Sequence, residues 1–242
     1  ELAAFDNEYD LDDLVVYIDP LDGTASFVSG YYTDVCTHIG LAYRHQPLVG
    51  MINHIYPDRA DTFDPHTYVG RIDHPVVYEI SNSAKAPVKV ARSHLPFKDY
   101  PTEDKVFTMS VSINHYDPVV EELLKIMGKT QKYTCAGCGN KYLRIIRGEI
   151  DGYVFNVSGT SRWDSLPGEV MMRALGAEST GCRGEIYTYP NERVDLFNTA
   201  GLFALNNKRE HDRLITKFRE FYRSINLETG PLLPVKKAKV VL

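Results

Sequence analysis

Two aspartates and a threonine lie within the six residues Asp19–Thr24, directly after an apolar run. Pro20 holds Asp19 in an extended conformation and Gly23 permits a tight turn, so the carboxylates of Asp19 and Asp22 should lie on one side of a strand end. Two clustered carboxylates repel each other unless a cation lies between them. Oxygen ligands without histidine favour Mg²⁺ or Mn²⁺ over Zn²⁺. The alternative is an ordinary Asp-rich turn.

A third carboxylate stands much later in the chain. Asp164 lies beside Trp163, which is the only tryptophan, and just before a predicted helix. One interpretation is an N-cap aspartate, since Asp is a preferred N-cap residue. The other is a third metal carboxylate that folding brings to the first two. The residues alone leave both open.

Composition limits the classes of function. The 242 residues are 43% hydrophobic and 24% charged, which is typical of a globular protein with one large domain or two small ones. The net charge of −5 disfavours a nucleic-acid polymer as partner, and no apolar run is long enough to predict a membrane span. The few cysteines, including the pair Cys135 and Cys138, favour structural thiols and a reducing, cytoplasmic location. Nothing in the spacing indicates an oligomeric state.

Hydrophobic periodicity predicts the elements that must position these residues. Strands are expected at Leu14–Ile18, Val35–Tyr43, Leu48–Ile55, Val76–Ile80, Val88–Arg92, Tyr153–Val157 and Gly201–Leu205. Helices are expected from Asp117 to Met127 and at Lys141–Arg147, Leu166–Leu175 and Arg209–Ile225. The mixture favours a layered α/β or α+β fold. The small residues of Ser81–Pro87 predict a division into residues 1–87, with the paired aspartates, and residues 88–242, with Asp164.

The segments VVYIDPLDGTASF and RWDSLPGEVMMRALGA, in this order, resemble the two signature motifs of the inositol monophosphatase superfamily. Its members are Mg²⁺-dependent, lithium-sensitive phosphatases. The resemblance implies an αβαβα sandwich of the inositol monophosphatase and fructose-1,6-bisphosphatase type. It implies that the metal ligands are Asp19, Asp22, Asp164 and the backbone carbonyl of Leu21. Thr24 would orient the nucleophilic water, so that Asp22 and Thr24 are the expected catalytic residues.

The segments Lys89–His94 and Cys135–Phe155 are most similar to the 3′(2′),5′-bisphosphate nucleotidase branch, which removes the 3′-phosphate of adenosine 3′,5′-bisphosphate, a by-product of sulfation. The resemblance implies that the nucleotide site lies in the second part of the chain. The substrate-binding residues that it implies are Gly23, Thr24, Ser93, His94, Gly137, Gly139 and Lys141. Each has a structural alternative: a half-buried histidine for His94, a solvated helix residue for Lys141, and a turn for the two later glycines. The tyrosine pairs Tyr31/Tyr32 and Tyr187/Tyr189 are expected to pack in the protein rather than to bind adenine.

Three alternatives remain at this stage. Inositol polyphosphate 1-phosphatases share the metal motif and the WDS form of the second motif, and inositol monophosphatases share the metal motif. An inactive relative that binds a phosphorylated ligand is the alternative from another class. The family's upstream Gly-Glu-Glu segment, with its metal-ligand glutamate, and the N-terminal helical pair are not among these residues. We therefore expect a fragment or a processed chain with one incomplete metal site.

Overall fold

The computed structural model describes residues 8–57, 63–84, 86–90, 106–112, 117–191 and 196–234. Strands β1 to β6 form an antiparallel six-stranded sheet in chain order. Their bounds are Leu14–Asp22, Cys36–Tyr43, Gln46–His54, His66–Arg71, His74–Ser81 and Val88–Val90. Buried and exposed residues alternate along β2, so that one face of this sheet turns toward the core.

A second sheet of five strands has the order β11-β13-β9-β7-β8, with β7 parallel to both of its neighbours. The bounds are β7 Phe107–Val111, β8 Thr130–Thr134, β9 Gly152–Phe155, β11 Glu178–Thr180 and β13 Leu202–Leu205. Strands β9 and β13 are buried throughout, as expected for a sheet that is covered on both faces. A separate short pair joins β10, Thr160–Ser161, to β12, Phe197–Asn198.

Helices fill the space between the sheets and cover the second sheet. The helices are α1 Thr24–Val28, α2 Val119–Met127, α3 Cys138–Ile146, α4 Arg162–Ala174 and α5 Lys208–Ser224. The larger core joins α3 and α4 to the inner faces of both sheets, while a second core packs α2 and α5 on the other face of the five-stranded sheet. The described residues therefore form sheet, helix, sheet and helix layers, which confirms the predicted layered α/β architecture.

Several predicted element bounds were wrong. β1 does not stop at Ile18 but continues to Asp22, because a bulge between Asp19 and Asp22 lets the strand keep its pairing past Pro20. β4, at His66–Arg71, was missed because the polar segment that leads into it indicated only a loop. α4 begins at Arg162 with Ser161 as its N-cap, so Asp164 lies inside the first turn rather than at the cap.

The division into parts 1–87 and 88–242 stays a prediction. The six-stranded sheet ends with β6, whose residues Val88–Val90 pair with β5, and the second sheet begins at β7. α4 packs against both sheets, with Leu166 and Val170 in the core that they share. The second half of the chain thus supplies a helix to the first sheet.

A row of three glycines brings α4 unusually close to the six-stranded sheet. Gly40 on β2 pairs with Gly50 on β3, which in turn pairs with Gly70 on β4. A Cβ atom at Gly40 would lie 2.6 Å from the Leu166 side chain, and one at Gly50 would lie 2.8 Å from the Pro167 Cα. These distances are too short for real contacts, so the glycines set the depth at which α4 lies.

Replacing Gly50 should test this close approach. We expect Gly50→Ala to lower the free energy of unfolding by about 3 kcal/mol, because helix backbone rather than a flexible side chain occupies the space. Gly30→Ala is a strict control, since Gly30 has a positive φ but no atom within 4 Å of the added Cβ. It should cost about 1 kcal/mol from backbone strain alone. Equal losses in urea unfolding of the two variants would contradict the account.

Candidate metal centre

The bulge in β1 positions the first two aspartates. Asp19 pairs with His38 of β2, and Asp22 pairs with Cys36, so three steps on β1 match two on β2. The extra residue bends the strand and re-aims the side chains at its end. The Asp19 Oδ1 accepts a hydrogen bond of 3.1 Å from the Leu21 backbone N–H. Asp22 is buried, whereas Asp19 is half-buried.

Asp164 reaches the same place from the first turn of α4. Its Oδ2 accepts a hydrogen bond of 2.6 Å from the Ser161 backbone N–H, which fixes the carboxylate at the helix N-terminus. Both interpretations from the sequence thus contain part of the answer. Asp164 does satisfy an amide at the helix start, and it also faces the strand-end aspartates.

The structure gathers three potential ligands, one of which the sequence did not predict. Single ligand atoms of Asp19, His38 and Asp164 all lie within 4.8 Å of one another. His38 was missed because nothing near it in the sequence suggests a site. The signal that could have found it is the hairpin itself, since antiparallel pairing of β1 with β2 sets His38 opposite Asp19.

Asp22 lies beside this group rather than within it. Its Oδ2 accepts a hydrogen bond of 2.8 Å from the Gly139 backbone N–H and lies 3.3 Å from the His38 Nε2. A Cβ at Gly139 would lie 2.9 Å from the His38 Cδ2. A Cβ at Gly137, where φ is +74°, would lie 3.2 Å from the Asp22 Oδ2. Both glycines therefore make room for the acidic cluster, and their predicted contact with substrate stays a prediction.

Crowding of acidic groups shapes the electrostatics. Burial, followed by the charge of Asp22, raises the pKa of Asp164 to about 7, and the same two causes raise the pKa of Asp19. Burial also acts on Asp22, but His38 and the Gly139 amide outweigh it and lower the pKa of that carboxyl. At His38 burial disfavours the charged ring, but the attraction of Asp22 outweighs it and raises the pKa. The cluster is short of positive charge.

These observations fit a divalent cation. Two ligands on opposite sides of an ion at about 2.1 Å are roughly 4.2 Å apart, which is close to the spread of the group. A cation would relieve the repulsion that raises the pKa values of Asp19 and Asp164. The Leu21 carbonyl accepts the Thr24 hydroxyl at 3.0 Å and retains a second lone pair. The donor set is therefore chemically suited to a metal ion.

A cavity of about 210 Å³ opens beside the cluster. Its lining includes Asp22, Gly23, Thr24, Gly137, Lys141 and Asp164. Lys141 is 4% exposed, its Nζ donates to the Gly137 carbonyl at 3.3 Å, and it lies 5.0 Å from the centre of the Tyr153 ring. Lys141 is therefore not the solvated helix residue of the alternative interpretation. Its ammonium group brings positive charge to the same cavity that Asp22 and Asp164 line.

A second and larger cavity, of about 610 Å³, adjoins the first, since both are lined by Ala25, Ser26 and Ala136. Tyr31, Tyr133 and Arg144 contribute to its wall. Arg144 forms an ion pair of 2.5 Å with Glu149, and its guanidinium lies 5.1 Å from the centre of the Tyr133 ring. The larger cavity thus combines aromatic surface with a cationic side chain.

The remaining candidates from the sequence are not part of the three-ligand group. Ser93 and His94 lie outside the described residues. Cys135 and Cys138 are buried free thiols, and burial raises the pKa of each. Within the described ranges, no group of three potential ligands includes either cysteine. The expectation of structural thiols rather than a reactive pair is consistent with this environment. No helix in the described part of the chain is long and apolar enough to cross a membrane.

Comparison with known proteins identifies the family. The model of the inositol monophosphatase family matches residues 1–222, so the chain belongs to that family. A mouse protein named 3′(2′),5′-bisphosphate nucleotidase 1 is 28% identical over 200 residues, which are 83% of this chain and 60% of the relative. Human inositol polyphosphate 1-phosphatase is 23% identical over 213 residues, covering 76% of this chain and 51% of the relative.

A solved structure described as inositol monophosphate-bound SaIMPase-II shares the fold. Its TM-score is 0.59 at 17% identity, and the match covers 90% of this chain and 76% of that one. The chain spans about 60% of the length of the mouse nucleotidase described above. The family and the layered fold that the two sequence motifs predicted are confirmed.

Removing one negative charge should stabilise the protein when no metal is present. The native pKa of Asp164 exceeds its ordinary value, so the stability that this group contributes is present below about pH 4 and is lost as the pH rises to about 7. We expect Asp164→Asn to be more stable than the wild type at pH 8 in EDTA, by on the order of 2–4 kcal/mol, and to differ less at pH 5. Urea unfolding at both pH values measures this.

Asp212→Asn is the matched control for Asp164→Asn. Asp212 is exposed. Its slight burial raises the pKa of the carboxyl, but the hydrogen bond and charge of Lys208 outweigh this and lower the pKa. Its replacement should therefore leave stability at pH 8 unchanged or slightly reduced. A loss of stability in Asp164→Asn at pH 8 would show that the native carboxylate is not under electrostatic strain.

Proposed function

We propose that the protein is a Mg²⁺-dependent phosphomonoesterase that removes the 3′-phosphate of adenosine 3′,5′-bisphosphate. The observation that carries the proposal is the lining of the smaller cavity, which contains Asp22, Asp164 and Lys141. Two carboxylates and an ammonium group thus line the same small space. A phosphoryl group needs positive charge around it, and a carboxylate cluster offers that only through a bound cation. Membership of the inositol monophosphatase family supports the same chemistry.

In this proposal Asp19, Asp164, Asp22 and the Leu21 carbonyl hold the cation. A bound Mg²⁺ supplies charge that offsets the negative charge of the reacting phosphoryl group and makes nearby water more acidic. The chain's own contribution is to position these ligands. The β1 bulge orients Asp19 and Asp22, and the Ser161 amide fixes Asp164. These four ligands are oxygen donors, which Mg²⁺ accepts readily.

Thr24 orients the attacking water in this proposal, and Lys141 binds the phosphoryl group. The Thr24 hydroxyl donates its single proton to the Leu21 carbonyl, so its lone pairs are free to accept a hydrogen bond from water and orient it. Lys141 uses one of its three protons on the Gly137 carbonyl, which leaves two for a phosphoryl oxygen. Asp22 keeps its charge beside both, and the removal of any of these groups should slow the reaction.

Two features support a nucleotide as the substrate. The adjoining cavity is large, and its side chains Tyr31 and Tyr133 suit a base. Arg144, which also pairs with Glu149, offers positive charge to a second phosphate in a wall that includes the Asp34 carboxylate. The most similar of the relatives reported above is named a bisphosphate nucleotidase. Direct contact of Gly23, Gly137 and Gly139 with the ribose or phosphate is part of the proposal, as is the placement of Ser93 and His94 near the nucleotide.

An inositol phosphate is the second candidate substrate. The resemblance to human inositol polyphosphate 1-phosphatase favours it, and the small cavity is compatible with any phosphate monoester. The two candidates differ in what fills the larger cavity. A base would pack on the tyrosines of that cavity, whereas the hydroxyls of an inositol ring would hydrogen-bond to polar side chains of its wall such as Ser29, Thr33 and Asp34.

Phosphate release with Mg²⁺ from adenosine 3′,5′-bisphosphate and from inositol 1,4-bisphosphate, measured side by side, tests the proposal. We expect preference for the nucleotide. Asp22→Asn should lower kcat/KM about a hundredfold or more, because it removes a carboxylate that the proposal assigns to the cation. Asp212→Asn, on the exposed face of α5, is the control and should retain full activity.

Preference for the inositol substrate would overturn the nucleotide assignment and leave the phosphatase proposal standing. Release from neither substrate by folded protein would overturn both. The conclusion would then be an inactive relative that binds a phosphorylated ligand. Retained activity in Asp22→Asn would remove this carboxylate from the mechanism.

A further inference from the structure

We propose that His38 is a nitrogen ligand of the cation site, and that it shifts the preference of the site from Mg²⁺ toward first-row transition ions such as Mn²⁺. This inference rests on the cation site of the proposed function. It adds a residue that the motifs do not contain, and it changes which metal the site should select.

The surroundings of His38 suit a ligand better than a structural residue. Its side chain has no exposed surface, and neither ring nitrogen forms a hydrogen bond with any residue that the structure describes. Nε2 approaches the Asp22 Oδ2 to 3.3 Å, which is close enough for an ion pair when the ring is charged but lacks hydrogen-bond geometry. Buried polar groups are nearly always partnered, so an orphaned imidazole beside two acidic side chains calls for a missing partner.

Other buried histidines show what a structural role looks like in this protein. His54, on the neighbouring strand, places its Nε2 2.7 Å from the Thr33 carbonyl and its Nδ1 3.3 Å from the Arg147 guanidinium. His211 places its Nε2 3.1 Å from the Thr180 hydroxyl. Both rings have polar protein partners. His38 differs because neither of its ring nitrogens has a hydrogen-bond partner among the described residues, although carboxylates of the candidate centre lie nearby.

The chain also makes space for the ring. His38 lies on the inner face of β2 between Cys36 and Gly40, and α3 crosses it at Gly139. Any side chain at position 139 would run into the imidazole. The same glycine donates its amide to Asp22, so the ring and the carboxylate are held together by one backbone turn. The ring therefore approaches Asp19 and Asp164 in a fixed position.

An imidazole nitrogen alters metal selectivity. Mg²⁺ prefers oxygen ligands. First-row transition ions also bind imidazole nitrogen, and their affinity for such a site rises along the series that begins with Mn²⁺. A site with carboxylates alone discriminates weakly in favour of such ions. With His38 as a ligand, the affinity for Mn²⁺ should exceed that for Mg²⁺ by a larger factor than the carboxylates can supply. The competing arrangement is a permanently charged imidazolium that pairs with Asp22 and binds no metal.

Pulsed electron paramagnetic resonance of the Mn²⁺-loaded protein, with its histidines labelled with ¹⁵N, tests the proposal directly. We expect nitrogen modulation from a coordinated imidazole in the wild type and its absence in His38→Gln. His54→Gln, which replaces the buried histidine of the neighbouring strand, should keep the signal. Isothermal titration should show that His38→Gln lowers the ratio of Mn²⁺ to Mg²⁺ affinity about tenfold or more, as expected for loss of one ligand.

Each outcome has a distinct meaning. Bound Mn²⁺ without nitrogen modulation, or an unchanged affinity ratio in a His38→Gln variant that circular dichroism shows to be folded, would overturn the ligand assignment and favour the imidazolium pair. Failure of the wild type to bind either ion would overturn the cation site itself. Nitrogen modulation in a protein that releases no phosphate would uphold the ligand and refute only the proposed enzymatic activity.

Discussion

The close packing of α4 on the six-stranded sheet determines where the acidic side chains of the two meet. Because Gly40, Gly50 and Gly70 carry no side chains, the helix lies directly on the backbone of three neighbouring strands. Its first turn then brings Asp164 to the strand end that holds Asp19. A helix one side-chain layer farther away would separate these carboxylates by several ångströms and leave no shared position for a cation.

This proximity has an electrostatic cost that the surrounding structure only partly offsets. Hydrogen bonds from the amides of Leu21, Gly139 and Ser161 hold the three aspartates in place, and His38 balances the charge of Asp22. The pKa of Asp164 nevertheless stays near 7 because burial and repulsion outweigh its amide partner. Functional sites commonly keep such unfavourable arrangements, since the ligand that relieves them gains affinity from the relief.

Sequence reasoning succeeded where the information is local. The Asp-Pro and Asp-Gly steps at the end of β1 and the aspartate near the start of a later helix are visible in short segments, and their combination led to the correct family. It failed where the information depends on pairing between distant residues. The position of His38 beside Asp19 follows from the register of β1 against β2, and the glycine row follows from the registers of β2, β3 and β4. Neither register leaves a mark in the spacing of one segment.

The proposed function requires that folding brings these side chains together to hold a divalent cation beside a phosphate-sized cavity. An anomalous difference map from crystals grown with Mn²⁺ tests this most directly. We expect one strong peak in contact with carboxylate oxygens of Asp19 and Asp164, on the side of the cavity lined by Thr24 and Lys141. Crystals that bind Mn²⁺ only elsewhere, with the carboxyl groups of Asp19 and Asp164 hydrogen-bonded to each other, would contradict the account.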